Sequence, residues 1–341
     1  MITIALDAMG GDDAPLEIVK GAAQMSLENE RAHILLVGDT DVISPLLKKL
    51  SYQSSRLSIH HAPDVIPMDA NPKEAVEAMP NSSLVVAAKL VAKGDADALV
   101  SAGNTGAVIM SCAKNFKRLP GVTRAALGAV YPTEQRRGEK NDPFSLILDV
   151  GLTLDVSARD LVGFAVMGSA YASRISKNKT PRIALLSNGS EENKGTKAIK
   201  EAHQILKGLD DMNFIGNIEG MDIPKGTADV IITDGFTGNI VLKMFEGIAS
   251  TVMRLGKYAF RKSIVYKAGL TLLAPAVKQL KEVTDWEQYG GAPILGFDRI
   301  CIKAHGRSSE RAIKNALKVA VKTVETDVVS AIRESMSTLS N

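Results

Sequence analysis

The sequence predicts an α/β protein with a largely parallel sheet, and three observations carry that prediction. Apolar, β-branched runs alternate with helical repeats along the whole chain. Four of these runs, within 2–19, 97–110, 182–202 and 228–243, end in turns rich in Gly, Asn, Ser and Asp that open straight into a helix. Apolar residues make up 45% of the 341 and aromatic ones only 4%, so the core is aliphatic and broad rather than built on stacked rings.

The elements follow in order. The run from Ile2 (ITIALDA) is a strand, and a helix follows over Pro15–Leu27, with proline at a first-turn position. His33–Gly38 is a strand, Asp41–Leu50 a helix and Leu57–Ala62 a short strand. Pro63–Pro80 is loop with one helical piece, Ser82–Lys93 a helix and Ala98–Ser101 a strand. Arg124–Tyr131 and Phe144–Asp149 are strands, and the charged stretch Thr133–Pro143 between them is an exposed loop. Arg159–Lys177 is a helix, Arg182–Ser187 a strand, Thr196–Leu206 a helix and Phe214–Ile218 a strand. Val230–Thr233 is a buried strand followed by a turn and a helix from Asn239. Ile294–Ala304 holds one more strand, and one long helix runs from Ser309 to about Ser335. A single domain over residues 1–341 is expected.

The four glycine-bearing turns are the candidate site. In parallel α/β sheets, ligands bind outside the carboxyl ends of the strands, where such turns collect. Glycine lets the backbone bend sharply and come close to a ligand, and a helix start offers unpaired N–H groups to an anion. The candidates are Gly10, Gly11 and Asp12 in the first turn, and Gly103, Asn104, Thr105 and Gly106 in the second. Lys194 lies in the third, and Asp234, Gly235, Thr237, Gly238 and Asn239 in the fourth. Lys194 can neutralise an anion held by backbone donors, Asn104 and Asn239 can donate from their amides, and Asp7, Asp12 and Asp234 can orient these groups or take a proton. Asn and Asp are equally good helix caps, so each residue also has a plain structural reading. These residues point to an enzyme that binds a small anion in a cleft.

Other chemistries find no support. The turn after Gly189 inverts the last Gly-Lys pair of a phosphate-binding P-loop. No dinucleotide fingerprint follows a strand, and no G-x-S-x-G elbow presents a serine nucleophile. Cys112 and Cys301 lack metal-type spacing and read as buried fillers, while adjacent His60 and His61 read as surface residues. No metal and no cofactor is expected. Scarce aromatics argue against a nucleic-acid partner. No run approaches the ~20 apolar residues of a membrane span, and residues 1–8 read as a strand rather than a leader, so a cytoplasmic location is expected.

Charge is concentrated in one place. Arg254, Lys257, Arg261, Lys262, Lys267, Lys278 and Lys281 fall within 28 residues that contain no acid, in a chain whose net charge is only +3. Arg254, Lys257 and Arg261 share one helical face, and Leu270, Leu273, Val277 and Leu280 recur at helical spacing, with Pro275 starting a second helix. Residues 250–285 are therefore expected to form a basic amphipathic segment that meets a second subunit, an anionic membrane surface, or both.

Six blocks carry a family resemblance: DAMGGD from Asp7, SAGNTGA from Ser101, FAVMGSAYA from Phe164, TDGFTGN from Thr233, YGGAPILG from Tyr289 and KAHG from Lys303. Together, and in this order, they resemble the bacterial phosphate acyltransferases of phospholipid synthesis, PlsX, nearly end to end. The resemblance implies a three-layer α/β/α sandwich like that of phosphotransacetylases and isocitrate-type dehydrogenases. It implies that inorganic phosphate attacks the thioester of an acyl carrier protein, giving acyl phosphate and free carrier. It also implies a homodimer, peripheral attachment to the membrane, and a downstream glycerol-3-phosphate acyltransferase as partner. On this reading Lys194 and backbone N–H groups of the Asn104 and Asn239 turns hold phosphate, and Asn239 and Asp234 serve the reacting centre.

The chain departs from the family's pattern at several points. Asp13 stands where a histidine is common, Glu77 where arginine is common, Gly151-Leu152-Thr153 replaces G-A-N, and the lysine turn ends KGT rather than KGN. A carboxylate at position 13 would repel phosphate. The rival expectations are transfer from a short acyl-coenzyme A and a non-catalytic, membrane-recruited scaffold.

Overall fold

In the computed structural model, one eleven-stranded sheet runs through the protein; the structure describes all residues except 138–141, 263–265, 267, 268, 270, 274–289, 340 and 341. The strands are β1 (Ile2–Asp7), β2 (Ala32–Gly38), β3 (Leu57–His61), β4 (Ala98–Ser101), β5 (Ala126–Arg137), β6 (Asp142–Leu148), β7 (Ile183–Leu186), β8 (Phe214–Ile218), β9 (Val230–Ile232), β10 (Ala292–Leu295) and β11 (Ile300–Lys303). Their spatial order is β3-β2-β1-β4-β11-β10-β5-β6-β9-β7-β8. The two wings are parallel. The three antiparallel joins, β11 to β10, β10 to β5 and β5 to β6, lie together in the middle.

Helices cover both faces, as the strand periodicity demands. The helices of the first half are α1 (Leu16–Glu28), α2 (Thr40–Leu47), α3 (Pro72–Ala78), α4 (Ser83–Lys93) and α5 (Thr105–Asn115). Those of the second half are α6 (Ala158–Ile175), α7 (Lys197–Lys207), α8 (Gly235–Lys262), α9 (Glu310–Glu325) and α10 (Val328–Leu339). Ala5, Leu99, Ile147 and Ile231 point to the side of α3, α4 and α5. Their strand neighbours point the other way: Ile4, Leu6 and Val100 pack on α1, α2 and α9, and Leu146, Leu148 and Val230 on α6, α7 and α10. This is the expected three-layer sandwich.

Four sequence expectations are corrected. Thr133–Pro143 is not a loop at its ends: β5 runs to Arg137 and β6 begins at Asp142. Thr133 is buried against Gly226, and Glu134 N–H donates to the Pro224 carbonyl, so tertiary contacts hold a charged stretch in strand form. Ile294–Ala304 is two antiparallel strands rather than one, bent at Gly296, whose φ of 108° suits glycine. The last helix is broken by Asp327, which adopts φ 49° and accepts the Ser330 N–H, so α10 starts afresh. Finally, α8 begins at Gly235, inside the turn that was expected to end at Asn239.

Helix α8 leaves the body of the protein. Its base is held by Phe245, stacked on Tyr131 with ring centroids 4.3 Å apart. From Glu246 to Tyr258 every residue is exposed, including Ile248, Val252 and Leu255. Of the basic segment, Arg254, Lys257 and Arg261 lie on or beyond this exposed stretch. Lys267, Leu270, Pro275, Val277, Lys278, Leu280 and Lys281, and the second helix expected there, lie outside the described residues.

Candidate functional site

Two buried aspartates tie the glycine turns to the sheet. Asp7 ends β1 and is buried; it accepts the Ser83 hydroxyl at 2.6 Å, the Ser101 hydroxyl at 2.7 Å and the Met9 N–H at 3.3 Å. Burial raises its pKa against the pull of those bonds. A Cβ on Gly10 would lie 2.3 Å from Asp7 Oδ2 and 2.9 Å from the Gly103 Cα, so the first two turns touch over this carboxylate. β1 lies between β2 and β4, with helices leaving to opposite faces, which makes this the switch point of the first wing.

Asp149, directly after β6, does the same on the other side. It accepts N–H groups of Leu127 at 2.9 Å, Leu152 at 3.0 Å and Thr153 at 2.6 Å, and burial raises its pKa. The start of α8 is pressed onto this knot. Gly235 N–H donates to the Thr153 carbonyl at 2.8 Å, and a Cβ on Gly238 would lie 1.9 Å from the Asp149 carbonyl oxygen.

Between these two anchors lies a cleft of ≈ 500 Å³ across the antiparallel middle of the sheet. Its walls are α5 on one side and α8 on the other, its floor Leu127 and Ala129 of β5, and its end the 303–308 turn after β11. Of the expected residues, Thr105, Gly106 and Asn239 line it. The Asn239 side chain makes no hydrogen bond to other described residues, so its amide is available to a ligand.

The other candidates are placed as follows. Gly10, Gly11, Gly103, Gly235 and Gly238 form the packed turns under the cleft. Asp12 N–H donates to the Gly306 carbonyl, and the Asp12 carboxylate lies 3.8 Å from Arg307 on the exposed rim. The Asn104 amide is committed elsewhere: its oxygen caps α5 at Ala107, and its nitrogen donates to the carbonyls of Met68 and Ala70. Asp234 accepts both the N–H and the hydroxyl of Thr237, at 2.7 and 2.8 Å, a helix-capping arrangement. Lys194 is exposed in the turn after β7 and is not among the residues lining the cleft, and neither is Asp13.

Sequence reasoning passed over part of the cleft. Lys303, only 6% exposed, lines it. Burial pushes the Lys303 pKa down to about 8, against the upward pull of neighbours that include the carboxylates of Asp7 and Asp12. Lys243, Glu246 and His305 stand at the mouth, with the His305 pKa lowered by burial first, against the pull of Glu246. Ser308 is buried in the wall. The signal was present: ICIKAHG, from Ile300, is a fifth strand running into a glycine turn, hidden inside what reads as one long strand.

The site is thus a polar-ended, apolar-floored cleft with an uncommitted amide and cations, suited to an anion and an apolar chain. A sequence profile described as "Fatty acid synthesis protein" matches residues 2–331. The chain is 40% identical over 336 residues to "Phosphate acyltransferase" of Alkaliphilus oremlandii, covering 98% of each chain. It is 42% identical over 333 residues to "Phosphate acyltransferase" of Fusobacterium nucleatum, again covering 98% of each. A phosphotransacetylase from Streptococcus pyogenes superposes with a TM-score of 0.63 at 18% identity, covering 95% of this chain and 94% of that one, and so shares the fold. With the matching profile spanning nearly the whole chain and relatives matching it end to end, this chain belongs to the fatty acid synthesis protein family of phosphate acyltransferases, which are acyl-transferring enzymes.

Proposed function

We propose that this enzyme moves a fatty acyl group from the thioester of an acyl carrier protein to inorganic phosphate, supplying acyl phosphate for phospholipid synthesis. The observation that carries the reading is the uncommitted Asn239 amide, which shares the cleft with Lys303 and an apolar floor. A phosphate oxygen attacks the carbonyl carbon; the C–O bond forms, the C–S bond breaks, and the thiolate leaves with the carrier. Asn239 donates to the oxyanion of the tetrahedral intermediate. Attack is direct: among the described residues no base partners the one serine in the cleft wall, Ser308, and phosphate needs no activation to act as a nucleophile.

Lys194 is assigned a supporting role with phosphate. β7, which delivers it, lies parallel and next to β9, which delivers the Asn239 turn, so both turns stand at one sheet edge. The exposed apolar row on α8 supports a homodimer and contact with an anionic membrane surface, where Arg254, Lys257 and Arg261 would meet negative headgroups. No helix among the described residues is long and apolar enough to cross a membrane, so attachment would be peripheral. In this setting the product passes to a glycerol-3-phosphate acyltransferase.

The test is release of carrier thiol from palmitoyl-acyl carrier protein with and without phosphate. Phosphate-dependent release, with acyl phosphate trapped by hydroxylamine, is expected. Faster release from an acyl-coenzyme A thioester at equal concentration would move the substrate to coenzyme A, and vesicle binding without any release would leave a scaffold. In the same assay Lys194→Ala raises the phosphate concentration needed for half-maximal rate; an unchanged requirement removes Lys194 from phosphate binding. Leu255→Glu on α8 lowers both the sedimenting mass and vesicle binding; if neither moves, that face meets only water.

A further inference from the structure

The KAHG turn (Lys303–Gly306) and the serine behind it line the cleft together with Asn239. We propose that the ammonium of Lys303 and the hydroxyl of Ser308 form the subsite that holds a phosphoryl group in the cleft. The proposal rests on the reading of the cleft as the acyl-transfer site and names the groups that grip its anion.

β11 pairs in parallel with β4, so its carboxyl end brings Lys303 level with Ser101, beside the two turns joined over Asp7. An ammonium carries three donors. One goes to the carbonyl of Ala304, and no other acceptor engages Lys303 among the described residues. Ser308 is 2% exposed, lines the same cleft, and its hydroxyl has no hydrogen-bond partner among the described residues. Proteins seldom leave a buried hydroxyl unpaired, because it loses water and gains nothing. Ser82 and Ser111 are unpaired in the same way, and what sets Ser308 apart is its place in the cleft wall with Lys303, where a ligand oxygen can supply the partner.

Electrostatics fit the same assignment. A buried lysine sheds its proton unless neighbours hold it. Burial pushes the Lys303 pKa down to about 8, with Asp7 and Asp12 among the neighbours that pull the other way, so the ammonium is still the main form at pH 7. Asp7 is itself turned toward the hydroxyls of Ser83 and Ser101, which occupy both of its oxygens. A tetrahedral oxyanion has the acceptors to take the spare ammonium hydrogens and the serine hydroxyl at once. The Asn104 amide, spent on two carbonyls, cannot compete for this role.

A phosphoryl group reaches this cleft from two sources: free inorganic phosphate, or the phosphodiester through which the acyl-bearing arm is attached to the carrier. Equilibrium dialysis of radioactive inorganic phosphate, with no acyl donor present, reads binding apart from turnover. Ser308→Ala is expected to weaken phosphate about tenfold, one hydrogen bond, and Lys303→Met about a hundredfold, one charge-assisted contact, with Lys303→Arg restoring most of it. Ser308→Ala should not lower the melting temperature, since it removes an unpaired buried hydroxyl. Lys303→Met also takes a counter-charge from Asp7 and Asp12 and is expected to lose some stability, so it is read by dialysis on folded protein. If Lys303→Met does not fold, Ser308→Ala carries the test alone.

In turnover, the KM for phosphate rises with the dialysis constant while the KM for carrier stays. A rise in carrier KM alone, absent with an acyl-pantetheine thioester that lacks the phosphodiester, assigns the subsite to the carrier's phosphate. Phosphate affinity and carrier KM both unchanged, or a fall in the melting temperature of Ser308→Ala that parallels its loss of affinity, overturns the proposal. Binding that weakens in the variants of a protein showing no phosphate-dependent thiol release would leave the subsite in place and sink the acyl-transfer reading instead.

Discussion

Asn239→Ala lowers turnover by about 10²–10³-fold, the usual effect of losing one oxyanion donor. The side chain is well placed for that role. It follows Gly238 at the start of α8, where the helix backbone is pinned to Asp149, and it lines the cleft with its amide uncommitted. Truncation removes the donor without breaking any hydrogen bond among the described residues, so stability should hold. The loss should fall on kcat, since the amide gains its partner as the carbonyl becomes tetrahedral, and the carrier KM should change little. Asn239→Asp is a sharper variant. It keeps the shape, trades the donor for a negative acceptor, and should be slower than alanine. Single-turnover thiol release measures both. Turnover within about tenfold of the parent would remove Asn239 from the reacting centre.

The succession of apolar runs, glycine turns and helical repeats made the architecture legible, because β1, β4 and β9 are apolar on both faces and so require helices on both sides of the sheet. The errors fall where long-range contacts override local pattern. The polar stretch at Thr133 pairs as a strand because residues 224–226 lie against it, and nothing within ten residues announces that neighbour. Asp327 divides one long amphipathic repeat into α9 and α10, though each half keeps its periodicity. The site was partly legible. Asn239 and the glycines stand out by type, but type cannot separate an amide facing a cleft from one spent on backbone, and Asn104 proved to be the second kind. Lys303 was legible only as part of a strand running into a glycine turn, and Ser308 not at all. A lysine and a serine near a strand end are unremarkable in sequence, and only burial in the cleft wall gives them meaning. Asp149 makes five hydrogen bonds to four residues, three of them in the local turn Gly151-Leu152-Thr153 and one the distant Leu127, and only the last lies beyond the reach of sequence spacing.

Gly238→Ala removes at least about 3 kcal/mol of stability and abolishes turnover, the upper end of what overpacking costs. The added Cβ would sit 1.9 Å from the Asp149 carbonyl oxygen and 3.0 Å from the carbonyl carbon and from Thr233 Cγ2. These are backbone and β-branched neighbours, so no flexible side chain can swing aside. Either α8 lifts off the Asp149 knot or the knot itself breaks, and Asp149 is buried and bonded to four backbone N–H groups. A shift of about 1 Å at position 238 carries Asn239 with it, and misplacement on that scale costs about 10²-fold before any unfolding is counted. Gly163 in α6 is the control, since a Cβ there meets nothing within 4 Å; Gly163→Ala should gain roughly 0.5–1 kcal/mol from helix propensity alone. Urea unfolding of the two variants separates the cases. Gly238→Ala with parental stability would mean that α8 can move freely against Asp149, and the cleft wall that presents Asn239 would then be a mobile element rather than a fixed one.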